Sequence, residues 1–187
     1  MLLVFVSVLS ISTYSQKKKA VTAGGGLAKI DNLVAEVKKG NFQVTINEKG
    51  KEKDAMIVKE AVDAKFAPTN TKLSSFNVKD VKLYVLTWTE KVTTKTDLKT
   101  EEINTIYTII YEINSKKQVF SNSQTTTNIT EKVFLDKLKN ASETQQRIRR
   151  EGFEFILNPD GTVTQKSKKQ ENKWMYDAAK MEYVTKK

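Results

Sequence analysis

Residues 81–94 read VKLYVLTWTEKVTT, and positions 84, 86, 88 and 92 carry tyrosine, leucine, tryptophan and valine. This spacing places them on one face of an extended chain, the pattern of a β-strand. The segments 103–114 and 118–129 are also rich in β-branched and aromatic residues, and none of the three contains proline or glycine. The link between the last two is too short for a parallel crossover. We therefore expect long, twisted antiparallel strands of about 35 Å or more.

Shorter alternating segments flank this centre. Turns are expected at 48–51 and at Asn158-Pro159-Asp160-Gly161, where Pro and Asp-Gly favour a tight reversal. The segment 53–62 fits either a strand or a helix. The additional strands expected are 42–46, 153–157, 162–165, 174–176 and 181–184.

Two segments show helical spacing. Residues 27–39 carry apolar residues three or four apart and end in Lys38-Lys39-Gly40, which is typical of a helix stop. Residues 131–150 follow Thr130, a candidate N-cap. The apolar stripe of this longer segment is Phe134, Leu138, Ala141 and Ile148. The prediction is an α+β fold, in which one long and one short helix pack on a curved antiparallel sheet of about six to nine strands.

The chain contains only three arginines, Arg147, Arg149 and Arg150, and all fall in the last turn of the longer predicted helix. Cations at that end compensate the helix dipole, which is the preferred interpretation. The alternative is an anion site.

The first sixteen residues predict export. Residues 2–11 are almost wholly apolar, too few to span a bilayer but enough for the core of a cleaved signal peptide. The alternative is a buried N-terminal strand. The signal predicts a periplasmic or secreted location. Its end at Ser15-Gln16 before a lysine-rich lead-in is similar to small exported proteins of Gram-negative bacteria, a resemblance that covers about the first twenty residues and implies no activity. We expect a signal peptide at 1–15, a flexible lead-in at 16–26, and one domain at 27–187 without a transmembrane anchor.

The amino-acid composition limits the reactions and binding sites that this chain can support. The chain has no cysteine and no histidine, so it lacks thiol nucleophiles, the commonest general base and the commonest metal ligand. We therefore expect no metal site, no cofactor and no enzymatic activity. Net charge is +10, but lysines scattered among acids argue against specific nucleic-acid recognition, which normally uses arginine. Weak contact with anionic envelope polymers is expected instead.

Carboxylates alone could still support hydrolysis. Glu101 and Glu102 fall in an expected turn, and Glu151 and Glu154 flank the end of the longer predicted helix. A glycosidase needs two carboxylates that face each other across a cleft. A carboxylate-dependent hydrolase of envelope glycans is therefore the alternative function.

The aromatic residues indicate the preferred function. They could line a concave sheet surface or a pocket between sheet and helix, or they could simply form the core. The candidate ligand-binding residues are Tyr84, Trp88, Tyr107, Tyr111, Phe120 and Trp174. The sequence therefore predicts a non-enzymatic binding module for an unknown protein or small apolar ligand.

Overall fold

The computed structural model describes residues 26–185, and these residues form strands and turns without any helix. Three antiparallel sheets follow one another along the chain, and within each sheet the strands lie side by side in sequence order. None of the described residues belongs to a helix that could span a membrane. The predicted signal peptide at 1–15, and all of the predicted lead-in except Gly26, lie outside the described residues.

The amino-terminal sheet has four strands. Tight turns join them, and Lys39, Gly40, Lys49 and Gly50 all have positive φ there. This left-handed conformation suits two-residue hairpin turns. The strands are β1 (Ala28–Ile30), β2 (Leu33–Lys38), β3 (Asn41–Glu48) and β4 (Lys51–Lys59).

The central sheet has five strands and contains the longest strands of the protein. At about 3.3 Å per residue, the 18 residues of β8 extend over about 60 Å. The long antiparallel strands expected at 81–94, 103–114 and 118–129 are confirmed as β6, β7 and β8. The strands are β5 (Thr69–Val78), β6 (Val81–Lys95), β7 (Lys99–Glu112), β8 (Lys117–Phe134) and β9 (Ser142–Gly152).

The carboxyl-terminal sheet has four shorter strands. Its first hairpin closes through Asn158, whose amide donates to the Thr162 carbonyl at 2.9 Å and whose carbonyl accepts from Gly161 at 2.9 Å. This confirms the turn expected at 158–161. The strands are β10 (Glu154–Leu157), β11 (Val163–Lys166), β12 (Glu171–Asp177) and β13 (Glu182–Thr185).

The central sheet is covered on both faces over half its length. Tyr84, Leu86 and Trp88 pack with the amino-terminal sheet in one hydrophobic cluster. Leu83 and Val85, the alternate residues of the same strand, pack with the carboxyl-terminal sheet in a second cluster. The molecule is therefore a three-layer β-sandwich with the central sheet as its middle layer. Beyond Glu90 this strand is exposed, whereas Thr127 and Ile129 in the facing part of β8 are still buried.

The predicted α+β fold is wrong, because both predicted helices are strands and turns. Residues 27–39 form β1 and β2, joined at Asp31, whose φ is +49°. Leu33 and Ala35 are fully buried, so the apolar residues follow a two-residue period on each side of the turn. A stripe spaced by three or four residues also fits two short strands that flank a reversal.

The longer predicted helix, 131–150, is wrong for a similar reason. Asp136 closes a turn there, because its carboxylate accepts hydrogen bonds from the amides of Ala141 at 2.7 Å and Asn140 at 3.1 Å. These bonds lower the pKa of Asp136. Leu138 is 81% exposed and Ile148 is 59% exposed, so the residues of the expected apolar stripe do not form one buried face. Residues on either side of this turn belong to β8 and β9.

Burial of tyrosine in the core should make the protein less stable at alkaline pH. Burial raises the pKa of Tyr111 to about 12, whereas an unfolded tyrosine ionises at about 10. Between these values the unfolded state loses a proton that the folded state keeps, so the free energy of unfolding falls as the pH rises. Tyr111→Phe should reduce that slope by up to about 1.4 kcal/mol per pH unit, measured by urea unfolding across this range. Equal slopes in the two proteins would contradict the prediction.

Candidate functional site

Strand β9 is the outer strand on one side of the central sheet, and all of its 11 residues are exposed. It carries the three arginines of the chain. Because side chains alternate along a strand, Arg147 and Arg149 lie on one face of the sheet and Arg150 lies on the other. The dipole role predicted for these arginines is therefore wrong, since they are not in a helix.

The face that carries Arg147 and Arg149 is balanced in charge. Arg147 lies 3.5 Å from Glu131, and Arg149 lies 3.6 Å from Glu151. On the same face Lys99 contacts Glu101 at 2.7 Å and lowers the pKa of that carboxyl, with smaller contributions from the two arginines. Three cations thus meet three carboxylates there.

The face that carries Arg150 forms one wall of a groove of about 560 Å³. The opposite wall is the turn between β11 and β12. Ser167 orders this turn, because its hydroxyl accepts from the amides of Lys169 and Gln170 at 3.3 and 3.1 Å. The groove is lined by Gln124, Ile148, Arg150, Gly152, Glu154, Lys166, Ser167, Lys168 and Lys169.

The groove is strongly basic. Its four cations, Arg150, Lys166, Lys168 and Lys169, accompany one carboxylate, that of Glu154. Within residues 26–185, none of the four cations forms an ion pair with a carboxylate. Like charges held together at a surface attract anions and raise their local concentration. The groove is therefore suited to an anionic ligand.

Gly152 sets the geometry of the groove. Its φ is +79°, and a Cβ at this position would meet the Ser123 carbonyl oxygen at 2.3 Å. Only glycine fits both conditions. The chain turns here from β9 into β10, so this residue fixes the position of the carboxyl-terminal sheet beside β9.

A second groove, of about 700 Å³, lies beside the loop after β4. Three cations and two carboxylates line it, and one pair of them is satisfied internally, because the Lys59 ammonium donates to both oxygens of Glu90 at 3.1 and 2.8 Å. The Trp88 indole N–H also donates to Glu90, at 3.0 Å. Lys59 covers the Phe66 ring at 4.9 Å from its centre. This groove therefore offers a ligand less unpaired charge than the basic groove does.

The six aromatic residues predicted as a ligand site lie in two separate clusters. Tyr84, Trp88, Tyr107 and Tyr111 belong to the core beneath the amino-terminal sheet, while Phe120 and Trp174 belong to the core beneath the carboxyl-terminal sheet. The rings of Trp88 and Tyr107 stack at 5.0 Å. The expected pocket between sheet and helix is wrong because no described residue is helical. Ligand binding by any of these six residues stays a prediction.

The structure brings together few of the predicted carboxylates. Adjacent along β7, Glu101 and Glu102 point to opposite faces of the sheet. Glu151 faces Arg149, whereas Glu154 lies in the basic groove. The described residues contain no group of three or more carboxylates that could hold a metal ion. The absence of enzymatic activity stays a prediction.

An anion site at the three arginines is the alternative that the sequence leaves open, and of these only Arg150 lines the basic groove. The lysines of the opposite wall are not part of that alternative. Residues 145–151 contain a single apolar residue, Ile148, so no alternation of apolar and polar residues favours a strand there. Comparison of the chain with models of known protein families, with curated proteins and with solved structures finds no match.

Proposed function

We propose that this protein is an exported, non-enzymatic binding module that recognises an anionic partner through the basic groove. The observation that carries the proposal is the set of four unpaired cations around the groove, against the balanced charges on the other face of β9. The same strand thus offers one neutral face and one basic face. Such asymmetry favours a partner that approaches from the groove side.

The chemistry of the described residues supports binding rather than catalysis. The chain has no histidine or cysteine, and the hydrogen bond from Lys99 lowers the pKa of Glu101. A lowered pKa keeps the Glu101 carboxyl charged, so this residue is unsuited to the general-acid role of a glycosidase. An anionic partner also fits the expected weak contact with anionic envelope polymers.

The groove is tested by titration with poly-L-glutamate, followed by calorimetry. Exposed ion pairs contribute about 0.2–1 kcal/mol each, so the triple variant Arg150→Gln, Lys168→Gln, Lys169→Gln should bind about tenfold more weakly. Added salt should weaken binding of the unaltered protein, because exposed charges are screened.

The matched control removes three charges elsewhere. Lys29, Lys51 and Lys72 are exposed, unpaired among the described residues, and outside the groove. The triple variant Lys29→Gln, Lys51→Gln, Lys72→Gln should keep most of the affinity. An equal loss in both triple variants would show attraction by net charge alone, and absence of binding would also overturn the proposal.

Export rests on the apolar residues 2–11. In cells that export it, the mature protein should begin at Gln16, which N-terminal mass analysis can read directly. Recovery of the chain with Met1 intact would contradict export by this route.

A further inference from the structure

The outer edge of β9 is open to another strand. Its 11 residues pair with β8 on one side, and no described strand pairs with the other side. In an antiparallel pair, every second residue directs its N–H and C=O toward the partner, so the remaining residues of β9 direct theirs outward. These groups form a template for strand addition.

The other outer strands are more protected. β1, β10 and β13 contain only three or four residues each, and β5 lies against β1. β4 is an outer strand of nine residues, but two register shifts interrupt its pairing with β3, and such bulges are one way in which proteins protect an edge. Proteins usually keep exposed edges short or covered, since a long edge pairs with other chains. β9 departs from this rule, because it is long and uncovered.

The charges on and beside β9 determine which kind of polypeptide can pair with its open edge. A second copy paired antiparallel with its centre aligned would place Arg147 opposite Arg147, and directly opposed like charges are destabilising. Two chains of net charge +10 also repel each other. An acidic strand meets neither obstacle, because its carboxylates can face the unpaired cations of the groove.

Only one face of such a strand needs to be acidic. On the balanced side, Arg147 and Arg149 already have carboxylate partners. On the groove side, Arg150 is unpaired among the described residues and Lys168 and Lys169 lie on the opposite wall. Arginine binds carboxylates in bidentate geometry, which fixes register as well as affinity. The matching segment therefore carries carboxylates at every second residue and neutral residues between them.

We propose that β9 accepts an extended acidic segment of a partner polypeptide as an additional strand of the central sheet, with alternate carboxylates directed into the basic groove. This inference rests on the proposed function and adds the kind of partner and its mode of binding. Main-chain hydrogen bonds hold the segment, and the groove cations select it.

The test uses a synthetic peptide of alternating glutamate and threonine and two N-methylated forms of it. One form is methylated at the glutamate amides and the other at the threonine amides, so both keep the same charge. Strand addition uses only one of these sets of amides. We expect one methylated form to bind at least tenfold more weakly, because several hydrogen bonds of about 0.5–1.5 kcal/mol each are lost, while the other binds about as well as the parent. Alternate β9 amides should also gain protection from hydrogen exchange.

The outcomes separate the two proposals. If the parent peptide and both methylated forms bind equally and the β9 amides exchange as before, strand addition is overturned and the basic groove remains an anion site. If poly-L-glutamate binds but the alternating peptide does not, this inference fails alone. If neither ligand binds, both proposals fail.

Discussion

Phe42→Ala should lower the free energy of unfolding by about 3–5 kcal/mol. Phe42 is fully buried in the cluster between the amino-terminal and central sheets. Its ring contacts Trp88 at 5.2 Å and Phe66 at 5.6 Å between ring centres. Removal of the ring leaves a cavity among residues of two sheets, which cannot collapse without moving a whole layer. Urea unfolding measures the loss.

A variant on the adjacent strand provides the control for Phe42. Ile57 lies on β4 and is 49% exposed, so Ile57→Ala should change the free energy of unfolding by no more than about 0.5 kcal/mol. The Trp88 indole resonance should move more in Phe42→Ala than the Trp174 resonance does. Similar destabilisation by both variants would contradict the layered packing of this half.

Phe120→Ala should have a comparable effect, about 3–5 kcal/mol, on the opposite face of the central sheet. Phe120 is 9% exposed, and its ring lies 5.3 Å from that of Tyr183 and 5.8 Å from that of Trp174. These contacts join β8 to the carboxyl-terminal sheet. The variant should therefore shift the Trp174 indole resonance, whereas that of Trp88 stays nearly in place.

The same strand supplies a matched control for Phe120. Phe134 lies at the uncovered end of β8 and is only half-buried, with Lys132 and Lys139 over its ring. Phe134→Ala removes the same atoms but opens no cavity between layers, so it should cost about 1 kcal/mol. Equal losses at the two positions would show that the carboxyl-terminal sheet does not cover the central sheet as described.

Strands joined by short turns could be predicted from the sequence, because alternation and turn chemistry agree there. The three long strands and the hairpin at 158–161 are examples. The helices were predicted wrongly because a spacing of three or four residues does not distinguish a helix from two strands around a turn. Asp31 and Asp136 are the residues that impose these turns, each through its own local geometry.

The sequence contains a signal for the third layer that the predictions above did not use. Leu83 and Val85 are apolar as well as Tyr84 and Leu86, and apolar residues at both parities indicate a strand buried on both faces. The covering of each face could not be predicted, since the contacts join segments far apart in sequence. For example, Val163 and Leu83 share one cluster.

The basic groove could not be predicted for the same reason. Arg150 and Lys168 are separated in sequence, and only the bend at Gly152 brings the turn after β11 beside β9. Sequence alone shows a cluster of arginines and scattered lysines. Which of them remain unpaired depends on nearby carboxylates: Glu131 is placed beside Arg147 by the register of β8 and β9, and Glu151 lies two residues from Arg149 on β9 itself.

The most direct test of anion recognition uses the three arginines of the chain. Their Nε–Hε groups give three resonances in a nitrogen-correlated NMR spectrum, which single variants assign. During titration with poly-L-glutamate, the Arg150 resonance should shift most, because Arg147 and Arg149 already face carboxylates on the other side of the sheet. An unchanged Arg150 resonance, with binding detected elsewhere or not at all, would contradict recognition of an anionic partner in the basic groove.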